Sequence, residues 1–407
     1  MRMRIAAVAI IVTLGSIWAG APLQGDDKTD KTRSDTKKAA VNQADANAAA
    51  KAPGENWPIW RGSGDLAGIS TSKIPAKVKV LWRFETGAGI VSSPVVMGDT
   101  VYIGSGDANC YAIDFASGKK KWVYKADDSL DAPPMVADGT VYVGSLMGTL
   151  HAIDARTGKK KWTYATDDKI IGSANFVPAK GKLPARVLVG SYDNKVHCLN
   201  AKTGKKIWAY ETENYINGAP AVADGWAYFG GCDAMLHRVN VDTGKDKNSV
   251  SMGDYLAASP AIRKDHAYLG DYEGSFSSVD FKKGEFAWTF YADEPFFSSP
   301  AVNDDVAAVG CRDDSLYCLD RKTGKKRWSF ATRGRVDSSP VIADGKVIFG
   351  SNDGRVYAVD LKKGNKVWSV VMGDAVSSSP AVLRGRVLVG SMDGFLYCLG
   401  APAQSDK

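Results

Sequence analysis

Tryptophan recurs through this chain at nearly constant intervals, at Trp82, Trp122, Trp162, Trp208, Trp288, Trp328 and Trp368. Every gap is 40 residues except two. One gap is longer by six residues, and the other is two periods long, with Asn248 where the middle tryptophan would stand. A period of this length is typical of propellers and solenoids, in which each repeat is one supersecondary unit. The chain is therefore predicted to be a repeat protein.

Each repeat contains four short apolar runs separated by turn-forming residues. In the copy that ends at Trp368 the runs lie at residues 340–342, 347–349, 356–359 and 366–369, with glycine-containing turns between them. Such runs are typical of antiparallel strands. A lone four-stranded sheet exposes two apolar faces, so each copy must pack between two neighbours. Eight copies can be laid in register, which predicts an all-β, eight-bladed β-propeller of four-stranded antiparallel blades.

The eighth copy lacks its outer strand. It stops at Gly400, whereas an apolar run at residues 80–84 precedes the first copy. We expect this N-terminal run to complete the last blade and close the ring, since full closure removes exposed sheet edges. The propeller is thus predicted to span residues 80–400, followed by a C-terminal tail at residues 401–407.

The N-terminus has the composition of an export signal. Arg2 and Arg4 precede an apolar stretch that ends in the small residues Ala19-Gly20-Ala21. This pattern predicts a signal peptide at residues 1–21 and an exported protein, periplasmic or extracellular. An uncleaved membrane anchor is the alternative, although the apolar stretch is short for a membrane span. The first cysteine is Cys110, so no lipid anchor is expected.

Two segments separate the signal peptide from the repeats. Residues 22–56 are predicted to be a disordered linker, because the stretch from residue 26 onwards has no aromatic residue and balanced charges. Residues 57–79 contain Trp57 and Trp60, which would expose a large apolar area if they stayed in water. We expect this second segment to pack against the ring as a plug or a rim strap.

The charge is too small to indicate a nucleic-acid-binding surface. The formal net charge is +7, and it falls to +5 without the two arginines of the signal peptide. Antiparallel alternation places the acidic loops between blades on one face and the lysine-rich turns on the other. We expect a two-faced ring whose acidic face attracts cationic partners, with ordinary solvated turns as the alternative.

One position varies between copies whose surrounding residues are nearly constant. It lies three residues before the residue, usually proline, that opens each copy, and its occupants are Val91, Asp131, Gly172, Asn217, Ala257, Phe297, Asp337 and Ser377. This position is the entry to the innermost strand, where a ring can vary the residues that face its funnel. We select Asp131, Asn217, Phe297 and Asp337 as candidate ligand-binding or partner-binding residues.

The histidines and cysteines do not follow a metal-binding pattern. His151, His197 and His237 occupy a position that tyrosine holds in other copies, and we interpret them as packing residues. No Cys-x-x-Cys motif occurs, and three of the six cysteines take a position that alanine fills elsewhere. Buried free thiols are the favoured interpretation, with disulfides as the alternative in an exported chain. No metal site is predicted.

The sequence around each tryptophan resembles the tryptophan-docking motif of pyrroloquinoline quinone (PQQ)-like propellers. One copy reads Ala152-Ile153-Asp154, Thr157-Gly158-Lys159 and Trp162, and the resemblance covers roughly residues 80–400. We interpret the seven tryptophans as structural, because a large ring on an outer strand can reach the neighbouring blade and bury its indole N–H against an acceptor.

The resemblance implies two alternative functions. Quinoprotein dehydrogenases of this superfamily oxidise alcohols or sugars with PQQ and calcium, whereas BamB-like outer-membrane assembly scaffolds have the same ring and no enzyme activity. The enzymes have long insertions, an adjacent Cys-Cys pair and a tryptophan against the quinone. In this chain no two cysteines are adjacent, and the one insertion is six residues long, near residues 180–186.

We therefore expect a non-enzymatic, monomeric ring without a cofactor that binds another protein or a component of the cell envelope. One alternative is a dehydrogenase with PQQ and calcium. The other is a sensor or accessory subunit that holds a small ligand in the funnel.

Overall fold

The structure is a computed structural model that describes residues 55–402. The predicted signal peptide at residues 1–21 lies outside the described residues, as do most of the predicted linker at residues 22–56 and residues 403–407 of the tail. The described residues form strands and turns, and they include no helix long and apolar enough to cross a membrane.

The strands form eight sheets, each of which is one blade of a propeller. A blade contains four antiparallel strands, which we call inner, second, third and outer, counted from the central channel outwards. Blades 1 to 8 are numbered by the chain order of their inner strands, and inner strands of neighbouring blades contact one another. The prediction of an all-β, eight-bladed propeller is confirmed.

The two strands nearest the channel differ in length. The inner strands have two or three residues each and are β3 (Val95–Met97), β7 (Met135–Ala137), β11 (Asn175–Val177), β15 (Ala221–Ala223), β19 (Ala261–Arg263), β23 (Ala301–Val302), β27 (Val341–Ala343) and β31 (Ala381–Leu383). The second strands have five or six residues and are β4 (Thr100–Gly104), β8 (Thr140–Gly144), β12 (Arg186–Gly190), β16 (Trp226–Gly230), β20 (His266–Gly270), β24 (Val306–Gly310), β28 (Lys346–Ser351) and β32 (Arg386–Gly390).

The other two strands complete each blade towards the circumference. The third strands are β5 (Asn109–Asp114), β9 (Thr149–Asp154), β13 (Lys195–Asn200), β17 (Met235–Asn240), β21 (Ser275–Asp280), β25 (Ser315–Asp320), β29 (Arg355–Asp360) and β33 (Phe395–Gly400). The outer strands of blades 1 to 7 are β6 (Lys120–Lys125), β10 (Lys160–Ala165), β14 (Lys206–Glu211), β18 (Val250–Ser251), β22 (Glu285–Tyr291), β26 (Lys326–Ala331) and β30 (Lys366–Val371).

Blade 8 joins the two ends of the ring. Its outer strand is β2 (Lys79–Glu85), which pairs with β33 from Lys79 opposite Gly400 to Glu85 opposite Phe395. The predicted closure by an N-terminal strand is therefore confirmed.

The core of the ring lies between the blades. Side chains of the second and third strands are fully buried there, for example Ile103 and Ile113 of blade 1. The buried clusters continue from blade to blade, and one of them joins blades 7, 8 and 1 across the point of closure. Outer strands such as β6 alternate exposed and half-buried residues, so they form the wall of the ring.

The docking tryptophans fasten each blade to the next. Six of the seven indole N–H groups donate a hydrogen bond of 2.9–3.3 Å to a backbone carbonyl of the next blade. The carbonyl lies 33 residues further along the chain in five of these bonds and 39 residues further in the bond from Trp162 to Ala201, which spans the six-residue insertion. The same six rings cover a glycine of the next blade, where an added Cβ atom would come within 2.6–2.8 Å of the indole. These glycines also have positive φ, so both the turn and the tryptophan exclude a larger side chain.

Trp368 is the exception among the seven. Its indole N–H is buried without a hydrogen-bond partner among the described residues. The equivalent acceptor position in the next blade is Ala401, which is exposed and is not part of a turn to an outer strand, because the outer strand of that blade is the N-terminal β2. The expectation that each docking tryptophan finds an acceptor is therefore wrong at this position.

Blade 4 has Asn248 where a docking tryptophan would stand, and Arg238 takes over its hydrogen bond. The Arg238 guanidinium lies 4.3 Å from the Trp226 ring centre, and its Nη1 atom is 3.5 Å from the carbonyl oxygen of Phe281. That carbonyl is the acceptor a tryptophan at position 248 would use. The surface that its ring would cover is open, because nothing lies within 4 Å of a Cβ atom added to Gly284.

A strap crosses one end of the channel. The strap is residues 57–72, and it contains β1 (Ile69–Ser70), which pairs in parallel with β27. It forms hydrogen bonds to the inner strand of every blade. In the order of blades 1 to 8, the bonded residues are Val96, Val136, Asn175, Val222, Ile262, Val302, Ile342 and Val382. The strap is thus fixed to every blade, at the end of the channel opposite the loops that connect one blade to the next.

Replacing Arg238 with alanine should lower the free energy of unfolding by about 1–3 kcal/mol, because a cation–π contact and a hydrogen bond are lost. The double variant Arg238→Ala/Asn248→Trp restores the pair of residues found in the other blades and should recover most of that loss. Chemical denaturation followed by circular dichroism measures both. A double variant no more stable than Arg238→Ala alone would contradict the proposed exchange.

Gly158→Ala and Gly284→Ala form a matched pair of tests for docking. Gly158 has φ 71° and Gly284 has φ 76°, so both variants carry similar backbone strain. Only Gly158 is covered by a tryptophan, Trp122, at 2.8 Å from the added Cβ atom. Gly158→Ala should therefore cost about 1–3 kcal/mol more than Gly284→Ala in unfolding experiments. Equal losses would mean that the indole contact contributes little.

Candidate functional site

The four candidate residues meet at one end of the central channel. Asp131, Asn217, Phe297 and Asp337 all line a cavity of about 220 Å³, which we call the funnel. Each of the four precedes the inner strand of its blade, and residues from all eight blades line the funnel. The funnel therefore lies on the axis of the ring.

The strap forms the floor of the funnel. Trp60 of the strap lines the cavity, and the other lining residues come from the blades. Because the strap crosses the far end of the channel, a ligand would enter from the opposite face. We call this the mouth face, and it carries the loops between blades and the hairpins between second and third strands.

The two acidic residues of the funnel have different surroundings. Asp337 accepts hydrogen bonds of 2.8 and 3.2 Å from Nε and Nη2 of Arg312, and a third from Asn352 at 3.2 Å. Its charge is therefore neutralised locally. Asp131 accepts a hydrogen bond of 2.7 Å from the Ser129 hydroxyl, and no cationic side chain of the described residues pairs with it.

The remaining two candidates contribute an amide and an aromatic ring. The side-chain nitrogen of Asn217 donates to the carbonyl oxygen of Leu256 at 3.0 Å and to the Sγ atom of Cys232 at 3.1 Å. Its Oδ1 atom is buried and has no partner among the described residues. The Phe297 ring lies 3.4 Å from the guanidinium carbon of Arg312, so that arginine contacts two of the four candidates.

A collar of serine hydroxyl groups also lines the funnel, two residues further along each copy than the position that holds the candidate residues. Its members directly precede the prolines of blades 1, 5, 6, 7 and 8 and are Ser93, Ser259, Ser299, Ser339 and Ser379. Each hydroxyl oxygen accepts the backbone N–H of the preceding blade, at 2.7–3.1 Å. No acceptor among the described residues takes the hydroxyl protons, so five O–H groups are free to donate into the funnel.

Arg61 of the strap is buried directly below the collar. Its backbone lies between strap residues bonded to blades 2 and 4, whereas its Nη2 atom donates to the carbonyl oxygen of Pro300 in blade 6 at 2.8 Å. The side chain therefore crosses the channel and ends at Pro300, the residue that follows Ser299 of the collar. Arg61 is 1% exposed, and its Nε and Nη1 atoms have no partner among the described residues. Burial lowers the pKa of Arg61 to about 9, which still leaves a positive charge at neutral pH.

Aromatic side chains of blades 3 to 6 cluster on the mouth face. Tyr192 and Tyr215 stack at 4.9 Å, Tyr255 meets Tyr272 at 6.4 Å, and Tyr272 meets Phe297 at 4.8 Å, all between ring centres. Burial, together with the nearby Tyr272, raises the pKa of Tyr192 to about 12. We call these five residues the aromatic row.

A cation lies against each end of the aromatic row. The Lys169 ammonium is 4.3 Å from the centre of the Tyr192 ring, and Arg312 lies over Phe297 at the funnel. Tyr215, Tyr255 and Tyr272 are 45%, 50% and 37% exposed, which is unusual for three neighbouring tyrosines on a monomer surface. The row thus extends the funnel into an exposed aromatic surface.

The three histidines bridge neighbouring blades. In each case Nδ1 contacts a tyrosine hydroxyl of the preceding blade and Nε2 contacts an aspartate, for example His197 with Tyr164 at 3.0 Å and Asp193 at 2.9 Å. Tyrosine at the same position in other blades donates to the hairpin aspartate, as Tyr357 does to Asp353 at 2.6 Å. The six cysteines are free thiols, and the described residues contain no group of three or more His, Cys, Asp or Glu that could hold a metal ion.

The funnel residues do not fit PQQ with calcium. Of the two carboxylates, Asp337 is already held by Arg312, and Asp131 has no second free carboxylate beside it. No pair of adjacent cysteines occurs in the sequence, and Trp60 is the single tryptophan that lines the funnel. The arrangement offers an aromatic floor, hydroxyl donors and one free carboxylate.

Comparison with known proteins places the fold among PQQ-like propellers. The family described as outer membrane protein assembly factor BamB matches residues 75–180, 183–296 and 273–401. No curated protein sequence matches the chain.

Several solved structures share the fold at low sequence identity. BamB from Moraxella catarrhalis aligns with a TM-score of 0.68 at 18% identity, over 80% of this chain and 100% of that chain. A quinohemoprotein alcohol dehydrogenase from Comamonas testosteroni aligns with a TM-score of 0.74 at 16% identity, over 90% of this chain and 86% of that chain. A europium-containing methanol dehydrogenase aligns with a TM-score of 0.69 at 17% identity, over 86% of this chain and 99% of that chain.

Sequence reasoning missed the collar, the aromatic row and the position of Arg61. The collar has a signal, because Ser-Ser-Pro occurs in four of the eight copies, at residues 92–94, 298–300, 338–340 and 378–380. The row has a weaker signal, since Tyr215 and Tyr255 stand at the same place in consecutive interblade loops. Nothing in the sequence indicates that Arg61 crosses the channel, because the strap lies outside the repeat.

Proposed function

This chain belongs to the family described as outer membrane protein assembly factor BamB, and we propose that it is an exported, non-enzymatic ring that binds another protein in the cell envelope. The observation that carries this proposal is the aromatic row on the mouth face. We further propose that the ring is monomeric and works in the periplasm or outside the cell.

The aromatic row has the composition of a protein-binding surface. Tyrosine and arginine dominate the energetically important positions of protein interfaces, because they bury a large area at a small entropic cost. Here three exposed tyrosines lie on loops and hairpins that a ring of strands holds in place, and Arg312 lies over Phe297 at one end of the row. Such a surface needs little reorganisation on binding, which favours affinity.

The surroundings of the row favour a basic partner. The interblade loops beside it carry Asp167, Asp168, Glu213, Asp254, Asp293 and Glu294, and Glu211 ends the outer strand that precedes one of these loops. Tyrosine rings attract cations through their faces, as Lys169 over Tyr192 shows within this chain. A lysine-bearing or arginine-bearing segment could therefore contact the rings and the acidic rim together.

A site-specific photo-crosslinker at Tyr215 or Tyr255 should capture a partner of one discrete mass from envelope extracts of the source cells. The matched control is the same crosslinker at Ala116, an exposed residue in a turn on the opposite face. In the protein that carries the crosslinker at Tyr215, the substitution Tyr255→Ala should weaken the capture about tenfold or more. Identical products from Tyr215 and Ala116, or none from either tyrosine position, would contradict the proposal.

Titration of the purified protein with PQQ and calcium should produce no saturable change in tryptophan fluorescence or in the visible spectrum of the quinone. The physical reason is that the funnel offers the metal a single free carboxylate, Asp131, and lacks the cysteine pair that faces the quinone in the dehydrogenases. Saturable one-to-one binding would instead favour the dehydrogenase alternative, and alcohols and sugars with a dye acceptor would then be tested as substrates.

A further inference from the structure

We propose that the funnel binds a small oxyanion, a carboxylate or phosphate group, on the serine collar above Arg61. The aromatic row meets the funnel at Phe297, but the collar and Arg61 are not part of the row, and the proposal does not depend on the protein-binding function. It rests on three observations: the free hydroxyl donors of the collar, the uncompensated charge of Arg61 and the size and single opening of the funnel.

The serine hydroxyl groups of the collar can donate hydrogen bonds to a ligand more readily than they can accept them. Each collar oxygen already accepts a backbone N–H, so its remaining capacity is mainly the hydroxyl proton. Five such groups belong to consecutive blades, from blade 5 through blade 8 to blade 1. Hydrogen bonds from hydroxyl groups to a charged oxygen are shorter and stronger than those between neutral groups. A ring of this kind therefore favours an anion over a neutral ligand.

Arg61 supplies a positive charge that has no counterion. The guanidinium crosses the channel next to Ser299 of the collar, and no carboxylate among the described residues pairs with it. A buried charge without a partner is costly, and the protein environment transmits its field more strongly than water does. An anion on the collar would lie in that field and would compensate the charge. Arg61 thus acts through its charge, because its own nitrogens are enclosed by protein.

The shape of the funnel limits the ligand to a small molecule. The cavity has a volume of about 220 Å³. Trp60 closes the bottom and offers an apolar surface to the part of the ligand that carries no charge. A short organic acid or an inorganic phosphate fits these dimensions, whereas a polypeptide segment does not.

The rim contains one group that opposes an anion. Asp337 is neutralised by Arg312, but Asp131 keeps an unpaired carboxylate at the edge of the same cavity. Because of this repulsion, the proposal predicts opposite changes in anion affinity for two substitutions. Removing the charge of Asp131 should strengthen anion binding, and removing the charge of Arg61 should weaken it.

Isothermal titration calorimetry of the purified protein with sodium acetate, inorganic phosphate and acetamide tests the class of ligand. Acetate or phosphate should bind saturably, and whichever binds more tightly identifies the oxyanion. Acetamide, which has nearly the shape of acetate without its charge, should bind at least about tenfold more weakly. Equal affinity for acetate and acetamide, or no saturation by either anion in the millimolar range, would overturn the proposal.

Three variants locate the site. Arg61→Gln should weaken anion binding about tenfold, Ser299→Ala should weaken it about threefold to tenfold, and Asp131→Asn should strengthen it severalfold. Ser117→Ala, in an exposed turn on the opposite face, is the matched control for Ser299→Ala and should leave the affinity unchanged. Thermal melting checks that each variant is folded.

If Arg61→Gln or Ser299→Ala does not fold, Asp131→Asn decides the question, because that side chain has one hydrogen bond and a half-buried position. An affinity that is unchanged or weakened in Asp131→Asn would place the anion elsewhere on the protein. The crosslinking result at the aromatic row is independent of these titrations, so either proposal can fail alone.

Discussion

The packing of one blade against the next is the interaction on which this structure depends. A four-stranded sheet of forty residues has two apolar faces and cannot bury both by itself. Six of the eight blades solve this with a tryptophan whose indole bonds to a carbonyl of the next blade and covers a glycine there. The bond recurs six times, five of them with a separation of 33 residues and one with 39, so the ring is held by many similar contacts rather than by one core.

Most of the fold could be predicted from the sequence because the same pattern of apolar runs and turn residues recurs in each blade. The tryptophan period, the four apolar runs and the missing last strand led to eight blades and to closure by β2, both of which the structure contains. Blade 4 shows the limit of this reasoning. The absence of a tryptophan at Asn248 is visible in the sequence, but its replacement by Arg238 depends on a contact with the next blade that no local pattern encodes.

The candidate site was harder to predict for a related reason. The residues before the inner strands could be named from their variability, and the structure places Asp131, Asn217, Phe297 and Asp337 around one cavity. Their partners could not be named, since Arg312 reaches Asp337 from a hairpin of the preceding blade. The strap is not part of the repeat, and its path across the channel is set by hydrogen bonds to eight different blades. Periodicity gives no information about such a segment.

The pairing of Lys79 with Gly400 also has a consequence for the order in which the molecule forms. The strap and β2 are made first, yet their partners include the inner strand of blade 8 and β33, which are made last. Contacts so distant along the chain are formed late, because the entropy of a long loop must be lost before they are gained. During synthesis β2 therefore stays unpaired until β33 has been made. A chain truncated before its last repeat would lack the pairing of β2 with β33 and the hydrogen bond from the strap to the inner strand of blade 8.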